Sequence, residues 1–538
     1  MKKTKQIEYV GWFNEFLAFS DCGRHPQFRY MLTSPPTGWK YTFSPKIKGD
    51  QIETETFDEA IRKGIERNLF PNFFLKEAPI AENIGGSQYS AIYTDNLYRL
   101  LLLDKVIDSN RSFDALLKIH FKEGQRLLFH NFLNSDWSIT LSKGKFIIHP
   151  CIIRDLSQVP LCMFKGSKKK KVSILFYLAK SLLYFLKFYL RVRSFGGNLK
   201  TCLKFMRSRV PFSERFIGSK PDLQFVPSVP FVFGKVPWII EIEDMLSFCF
   251  PFLFNGKASK NSLLQSEYLP CFKALLSSPQ CRGVITHVKA TKQNMAKAFQ
   301  LPELEKKLFY IPIGITNKED VVKAPTEGKV YLLFSNSWHQ HPDSFCLRGG
   351  IDVLFAFEKL AKKQPEAHLI FRAALPKSYE QHLHRIQMEY PDQITIIDAF
   401  LPKDEWEEIQ QKAEIYLLPS ARIHVVSILE AMNNKQVVVT SDGWGISDYV
   451  QDEVTGIQIK GRYGKVAWDD EETGLLCENY DSMYAPDHDF IERLHQKLAQ
   501  LVSDKEYRNR LATGAKKAVE EKYTLENWNK QLETVLSR

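Results

Sequence analysis

Between Lys329 and Thr440 short apolar runs alternate with amphipathic stretches, and no other feature narrows the folding options of the chain as far. KVYLLF (329–334), HLIFR (368–372), ITII (394–397), IYLL (415–418) and VVVT (437–440) each have the length and near-continuous apolar character of a strand buried on both faces. Between them, Gly349–Lys362, Lys377–Tyr390, Lys403–Gln411 and about Val426–Asn433 carry helical periodicity. Strand and helix in strict alternation predict a parallel, doubly wound sheet. In such a sheet ligands lie beyond the carboxyl ends of the strands, where phosphates meet helix N-termini. The site is therefore expected in the loops after Phe334, Arg372, Ile397 and Leu418.

The N-terminal half is less regular, with aromatic-rich stretches and Pro35-Pro36, and a second α/β domain is expected there. A chain of 538 residues exceeds what one ordinary core organises. The boundary is read at the polar, Pro- and Gly-containing stretch Thr316–Gly328, which gives domains at 1–320 and 321–538. Three helices close the chain, at Phe490–Val502, Lys505–Glu521 and from about Leu525.

The formal net charge of +11 is local. From Leu156 to Ser213 the chain has 13 lysines and arginines and neither Asp nor Glu. Inside this block, 156–213, the stretch Val172–Arg193 is apolar enough to raise the question of a membrane span. Lys180 and Lys187 would then each cost roughly 2.5–3.5 kcal/mol near the bilayer centre. On a helix Ser173, Lys180, Lys187 and Arg191 fall on one stripe and leave a wide face of Leu, Phe, Tyr and Ile. Two readings stay open: an interfacial helix drawn to an anionic membrane surface through Lys168–Arg209, or a helix packed in the N-terminal domain with a solvated basic loop. No nucleic-acid partner is expected, since no nucleic-acid-binding motif accompanies the charge. The first residues hold no continuous apolar signal core, so a cytoplasmic address is expected, with peripheral attachment at the inner membrane face if the interfacial reading holds. The nine cysteines are scattered without a Cys-x-x-Cys pair and signal neither a disulfide framework nor a zinc cluster.

The motifs arrive in a specific order. Leu417-Leu418-Pro419-Ser420 is followed by Ile428-Leu429-Glu430-Ala431-Met432, by Val437–Gly445 and by Val454-Thr455-Gly456-Ile457. Upstream stand Tyr310-Ile311-Pro312-Ile313-Gly314-Ile315 and Arg348-Gly349-Gly350-Ile351-Asp352-Val353-Leu354. Over residues 281 to 538 this set resembles the family-4 retaining glycosyltransferases, glycosyl transferases group 1 of the GT-B superfamily. The resemblance implies an α/β, GT-B fold: two Rossmann-like doubly wound domains facing a cleft, with the C-terminal helix crossing back. It implies an acceptor domain at the N-terminus and a nucleotide-sugar-binding domain at the C-terminus. The activity implied is transfer of a sugar, with retention, from a nucleoside diphosphate sugar to a hydroxyl of a glycan or lipid-linked glycan, as in polysaccharide biosynthesis. No cofactor or metal is assigned beyond that donor substrate.

Carried onto this sequence, the donor residues are Arg348, the amides of Val425, Val426 and Ser427, Glu430 for the ribose, and Gly23 in a loop with Arg24 and His25. A helix N-terminus and a planar cation suit a pyrophosphate. Glu243 and Asp244, after the Val236–Ile242 run, come near the cleft as candidate catalytic residues; a helix N-cap is the other reading, favoured for them on sequence. Arg422 is the third candidate, because it stands where the family has the glutamate that contacts the donor sugar. That departure leaves two further readings, a catalytically silent sugar-binding or scaffold protein and a nucleotide-sugar epimerase. His424 and Val425 replace the usual loop glycine. His339 and His341 lie in a long loop after the first strand, and Lys460–Pro486 reads as an insertion that either orders an acceptor or forms a surface loop.

Overall fold

The computed structural model describes residues 4–10, 31, 34–44, 46–48, 52–56, 59, 75–76, 80–84, 87–94, 98–103, 126–131, 135–148, 151–153, 182–209, 221–227, 236–249, 263–319, 321, 323–336, 344–373, 377–397, 401, 403–462, 465–471 and 474–538. Gly23, Arg24, His25, His339, His341, the Lys168–Lys171 run and residues 172–181 lie outside them.

The C-terminal sheet has six parallel strands in the order Ile394–Ile397, Ala367–Arg372, Val330–Ser335, Ile415–Leu418, Val437–Ser441, Ile457–Ile459. In chain order that is 3-2-1-4-5-6, the arrangement of a dinucleotide-binding sheet. Every residue of Val330–Ser335, Ile415–Leu418 and Val437–Ser441 is buried, as expected of strands covered by helices on both faces. The order reverses between the Val330–Ser335 and Ile415–Leu418 strands, and the crevice expected of such a sheet falls beyond their carboxyl ends.

The N-terminal parallel sheet runs Leu308–Tyr310, Cys281–Thr286, Trp238–Ile242, Leu223–Pro227, Lys5–Val10, Trp39–Ser44, again with parallel pairings throughout. Between its second and third strands in sequence sits an element that the sequence reading did not foresee. Among the described residues ten short strands from Lys46 to Ile153 form a separate sheet with antiparallel pairings, built on the Ser87–Thr94, Tyr98–Leu103, Arg126–Asn131 and Ser135–Ser142 meander. The N-terminal half is thus a Rossmann-like sheet with an antiparallel sheet inserted.

The three final helices are His488–Ser503, Lys505–Lys522 and Leu525–Leu536. Asp487, Asp504 and Thr524 cap them, each side chain accepting from the backbone N–H three residues on. The last helix crosses back to the N-terminal domain. Thr37 N–H donates to Glu533 Oε1 (3.2 Å), Asn529 Nδ2 donates to the Ser34 carbonyl (2.8 Å), and a Cβ on Gly283 would sit 2.7 Å from Val535. Trp528, 1% exposed, anchors this crossing where Gly314 lets the interdomain chain pass close beneath it.

Removing that anchor leaves a cavity under the crossing helix. Trp528→Ala is expected to cost roughly 3–5 kcal/mol of unfolding free energy, read from urea denaturation.

Candidate functional site

The crevice at the strand-order reversal is floored by Ser335 and Tyr416, whose hydroxyls lie 3.0 Å apart. Arg348 reaches into it and donates from Nη1 to the Ser335 carbonyl (3.4 Å). The backbone that delivers Arg348 is tightly specified. Gly349 has φ +77°, and a Cβ there would lie 2.3 Å from the Pro419 carbonyl oxygen. Only glycine takes both the left-handed turn and the close approach. This presses the Arg348 loop against the loop that follows the Ile415–Leu418 strand. Arg348 is only 4% exposed, and burial lowers its pKa to about 10.

A second cation stands beside it. Arg372 ends the Ala367–Arg372 strand as the lateral register partner of Ser335, with its guanidinium 4.9 Å over the Trp406 ring. Burial lowers its pKa to about 10, and the charge of Arg348 pushes the same way. Its buried Nε has no hydrogen-bond partner. His424 precedes the Val425–Asn433 helix, and burial and then the Arg348 charge hold it well below the usual histidine range, so it stays neutral. No side chain caps that helix start, and Val425 and Val426 are buried there while Ser427 is half-buried. Glu430 lies five residues further along the helix, also half-buried. The structure therefore sets Arg348 close both to Arg372 and to His424, the residue that precedes the Val425–Asn433 helix. Sequence reading missed Arg372; its place at the carboxyl end of a strand next to the reversal was the available signal.

Two residues before His424, Arg422 organises the other pole. Its Nη2 donates to Glu243 Oε1 (2.7 Å) and Asp244 Oδ2 (2.9 Å), its Nη1 donates to Glu478 Oε1 (2.8 Å), and its guanidinium lies 5.3 Å over the Trp444 ring. Glu243 and Asp244 come from the end of the Trp238–Ile242 strand of the other domain. Asp244 also accepts from Ser247 N–H (3.0 Å), the geometry of an N-cap on Met245–Cys249. All three sequence candidates for catalysis thus meet in one ionic cluster across the cleft. The side chains of Asp244 and Glu478 are 4% and 1% exposed, whereas that of Glu243 is 32% exposed and faces the opening.

Burial alone would raise the Glu243 pKa, but Arg422 and His287 hold it down at about 2. His287, at the end of the Cys281–Thr286 strand, bonds Glu241 through Nδ1 (2.7 Å) and lies 3.6 Å from Glu243 through Nε2. Burial would lower its pKa, but these two carboxylates outweigh burial and set it at about 9.

The described residues of the 460–486 segment are not a free surface loop. They form a hairpin, Ala467–Asp469 with Leu476–Glu478, wedged between the domains. Glu478 reaches Arg422, Asp469 accepts from Trp444 Nε1 (3.1 Å) and Asn294 Nδ2 (2.8 Å), and Leu475 is buried in the N-terminal core. A cavity of about 360 Å³ on the same seam is lined by Lys289, Asp442, Trp444, Asp448 and Asp469 among others. It touches the Arg422 cluster through Trp444 and includes neither Arg348 nor Arg372. Among the described residues no group of His, Cys, Asp and Glu side chains is arranged to hold a metal ion, and no helix is long and apolar enough to cross a membrane.

Residues 348–472, which contain Arg348, Arg422 and Glu430, match the family described as glycosyl transferases group 1. The match lies within the C-terminal domain and supports a transferase. No curated protein matches the chain. Among solved structures it is similar to HepE from Anabaena, crystallised with UDP and glucose, at 13% identity over 59% of this chain and 78% of that one (TM-score 0.39). A glycosyltransferase from Rickettsia africae aligns at 12% identity over 66% and 93% (TM-score 0.40). The pneumococcal O-GlcNAc transferase GtfA, in complex with UDP and GlcNAc, aligns at 11% identity over 99% of both chains (TM-score 0.42).

Two outcomes follow from the cluster. Arg422→Ala strands three carboxylates and is expected to cost about 3–5 kcal/mol by urea denaturation, with Arg422→Glu costing more because it adds a fourth negative charge. The folded pKa of His287 lies above its free value of 6.5, so its stabilisation is complete below that pH and is lost as pH rises through about 9. Unfolding free energies across this window are expected to fall more steeply in the wild type than in His287→Gln.

Proposed function

We propose that the protein is a group 1 glycosyltransferase that takes a nucleoside diphosphate sugar as donor and transfers the sugar, with retention at the anomeric carbon, to a hydroxyl of a glycan or lipid-linked glycan at the inner face of a membrane. The observation that carries the donor half is Arg348, which stands close to Arg372 on one side and to His424 at the start of the Val425–Asn433 helix on the other. Two guanidinium groups side by side offer planar, charge-assisted donors, and a diphosphate supplies the matching acceptors and charge. The amides of Val425, Val426 and Ser427 then complete the anion site, and Glu430 accepts from the ribose hydroxyls. As the bond to the anomeric carbon breaks, negative charge grows on the diphosphate oxygen. Cations and amides already in place stabilise that charge without reorganisation.

The sugar lies between this positive pole and the Arg422 cluster. Glu243 is the carboxylate of the cluster with an accessible face. A carboxyl held at about 2 is a weak base, so its part is to accept hydrogen bonds from sugar hydroxyls, and Asp244 and Glu478 hold Arg422 in place. In this way Glu243 stands in for the glutamate that Arg422 displaces. Gly23, carried over from the sequence resemblance, is proposed to allow close approach of the donor sugar.

Thermal stability should therefore rise with one of UDP, GDP or ADP. The gain is expected to reach roughly 2.7 kcal/mol at a hundredfold excess over the dissociation constant. Arg348→Ala, Arg372→Ala and Glu430→Ala should each lose that gain, and Glu243→Gln should keep the nucleotide response while losing the extra response to the intact sugar nucleotide. Stabilisation without release of nucleoside diphosphate in the presence of any acceptor would favour a silent sugar-binding protein.

A further inference from the structure

We propose that the outer face of two adjoining helices in the N-terminal domain is a docking surface for an anionic lipid bilayer. The helices span residues 182–194 and Leu199–Arg209. Their inner sides are settled: Phe188, Val192, Cys202 and Phe205 are buried in one core with Trp238 and Phe272, and Phe205 meets Phe272 edge-on at 5.5 Å. The apolar band read from the sequence is therefore divided. Its aromatic side holds the helices to the domain.

Its leucine side has no such use. Leu182, Leu183, Leu186 and Leu190 are 67%, 49%, 48% and 54% exposed, and Leu199 and Leu203 are 45% and 51% exposed. Positions 182, 183, 186 and 190 share one helical face, as do 199 and 203. Six exposed leucines concentrated on two neighbouring helices form an apolar patch of the kind that marks an interaction site. Lys187, Arg193, Lys200 and Lys204 are exposed around it. Among the described residues Glu267 meets this rim, accepting from Lys204 Nζ (3.0 Å) and from Thr201 Oγ1 (3.2 Å).

The charge selects the occupant. A patch of leucines rimmed by cations within a stretch of sequence that lacks Asp and Glu complements acyl chains beneath anionic headgroups. The long lysine and arginine stems lie along the apolar surface and keep their charge at headgroup level. A second copy of this chain would instead bring the same cations face to face. The inference rests on the reading above only in placing the acceptor at a membrane. The donor site plays no part in it.

Flotation of the full-length protein with vesicles of phosphatidylcholine alone, or of phosphatidylcholine mixed with phosphatidylglycerol, tests the proposal. Binding is expected on the mixed vesicles only, weakening as salt is raised. Leu186→Glu and Leu190→Glu, at exposed positions, should reduce it roughly tenfold or more with an unchanged melting temperature, and Lys187→Glu with Lys200→Glu should do the same. Arg348→Ala should bind vesicles like the wild type, so failure of the donor reading would not register here. Equal binding to both vesicle types, binding untouched by the leucine variants, or a dimer in solution that Leu186→Glu dissociates would overturn the proposal.

Discussion

The buried guanidinium of Arg422 is the constraint on which the cleft depends. Taking one cation out of water is tolerated only where fixed acceptors replace its hydration, and here they come from three places: the end of an N-terminal strand, the interdomain hairpin and, through the ring face, Trp444. Each partner is useful only if the others are in position. Such a network adds modestly to stability compared with a well-packed apolar substitute, but it specifies one arrangement of its parts. The carboxyl ends of the two parallel sheets are thereby held facing each other, with His287, Glu241 and Glu243 on one side and the Arg348 loop on the other.

From that arrangement follows a cleft with two electrical poles. Arg348 and Arg372 make one end positive, with His424 kept neutral between them and Arg422. Carboxylates outnumber cations at the other end, where Arg422 and His287 meet Glu241, Glu243, Asp244 and Glu478. The backbone reinforces the division. Gly349 against Pro419, and Gly443 with a would-be Cβ 2.3 Å from the Ser420 carbonyl oxygen, draw three loops into contact behind both poles. Side chains at either glycine would move Arg348 and Arg422 apart.

The sequence carried the C-terminal domain almost completely, because strands buried on both faces are continuous apolar runs and the helices between them keep a clear period. Val330–Ser335, Ile415–Leu418 and Val437–Ser441 fall within a residue of where periodicity puts them. The antiparallel sheet was not legible. Its strands are two to eight residues long, and their serines, threonines and tyrosines serve a sheet and a loop equally well. Arg348, Glu243 and Asp244 were named as candidates through ordered motifs. Arg372 was missed because its one signal, a place at a strand's carboxyl end, does not reveal that the loop after the preceding strand sets Arg348 beside it. Arg422 was read as a departure from a pattern; the carboxylates that absorb its charge are 178, 179 and 56 residues away, beyond the reach of local reading.

A crystal structure with a bound nucleoside diphosphate tests the central claim most directly. The account predicts the diphosphate within hydrogen-bonding distance of Arg348, Arg372 and the Val425–Ser427 amides, with Glu430 at the ribose. A diphosphate seated elsewhere, such as in the cavity beside Lys289, or a structure in which Arg372 turns away from it, would contradict the account.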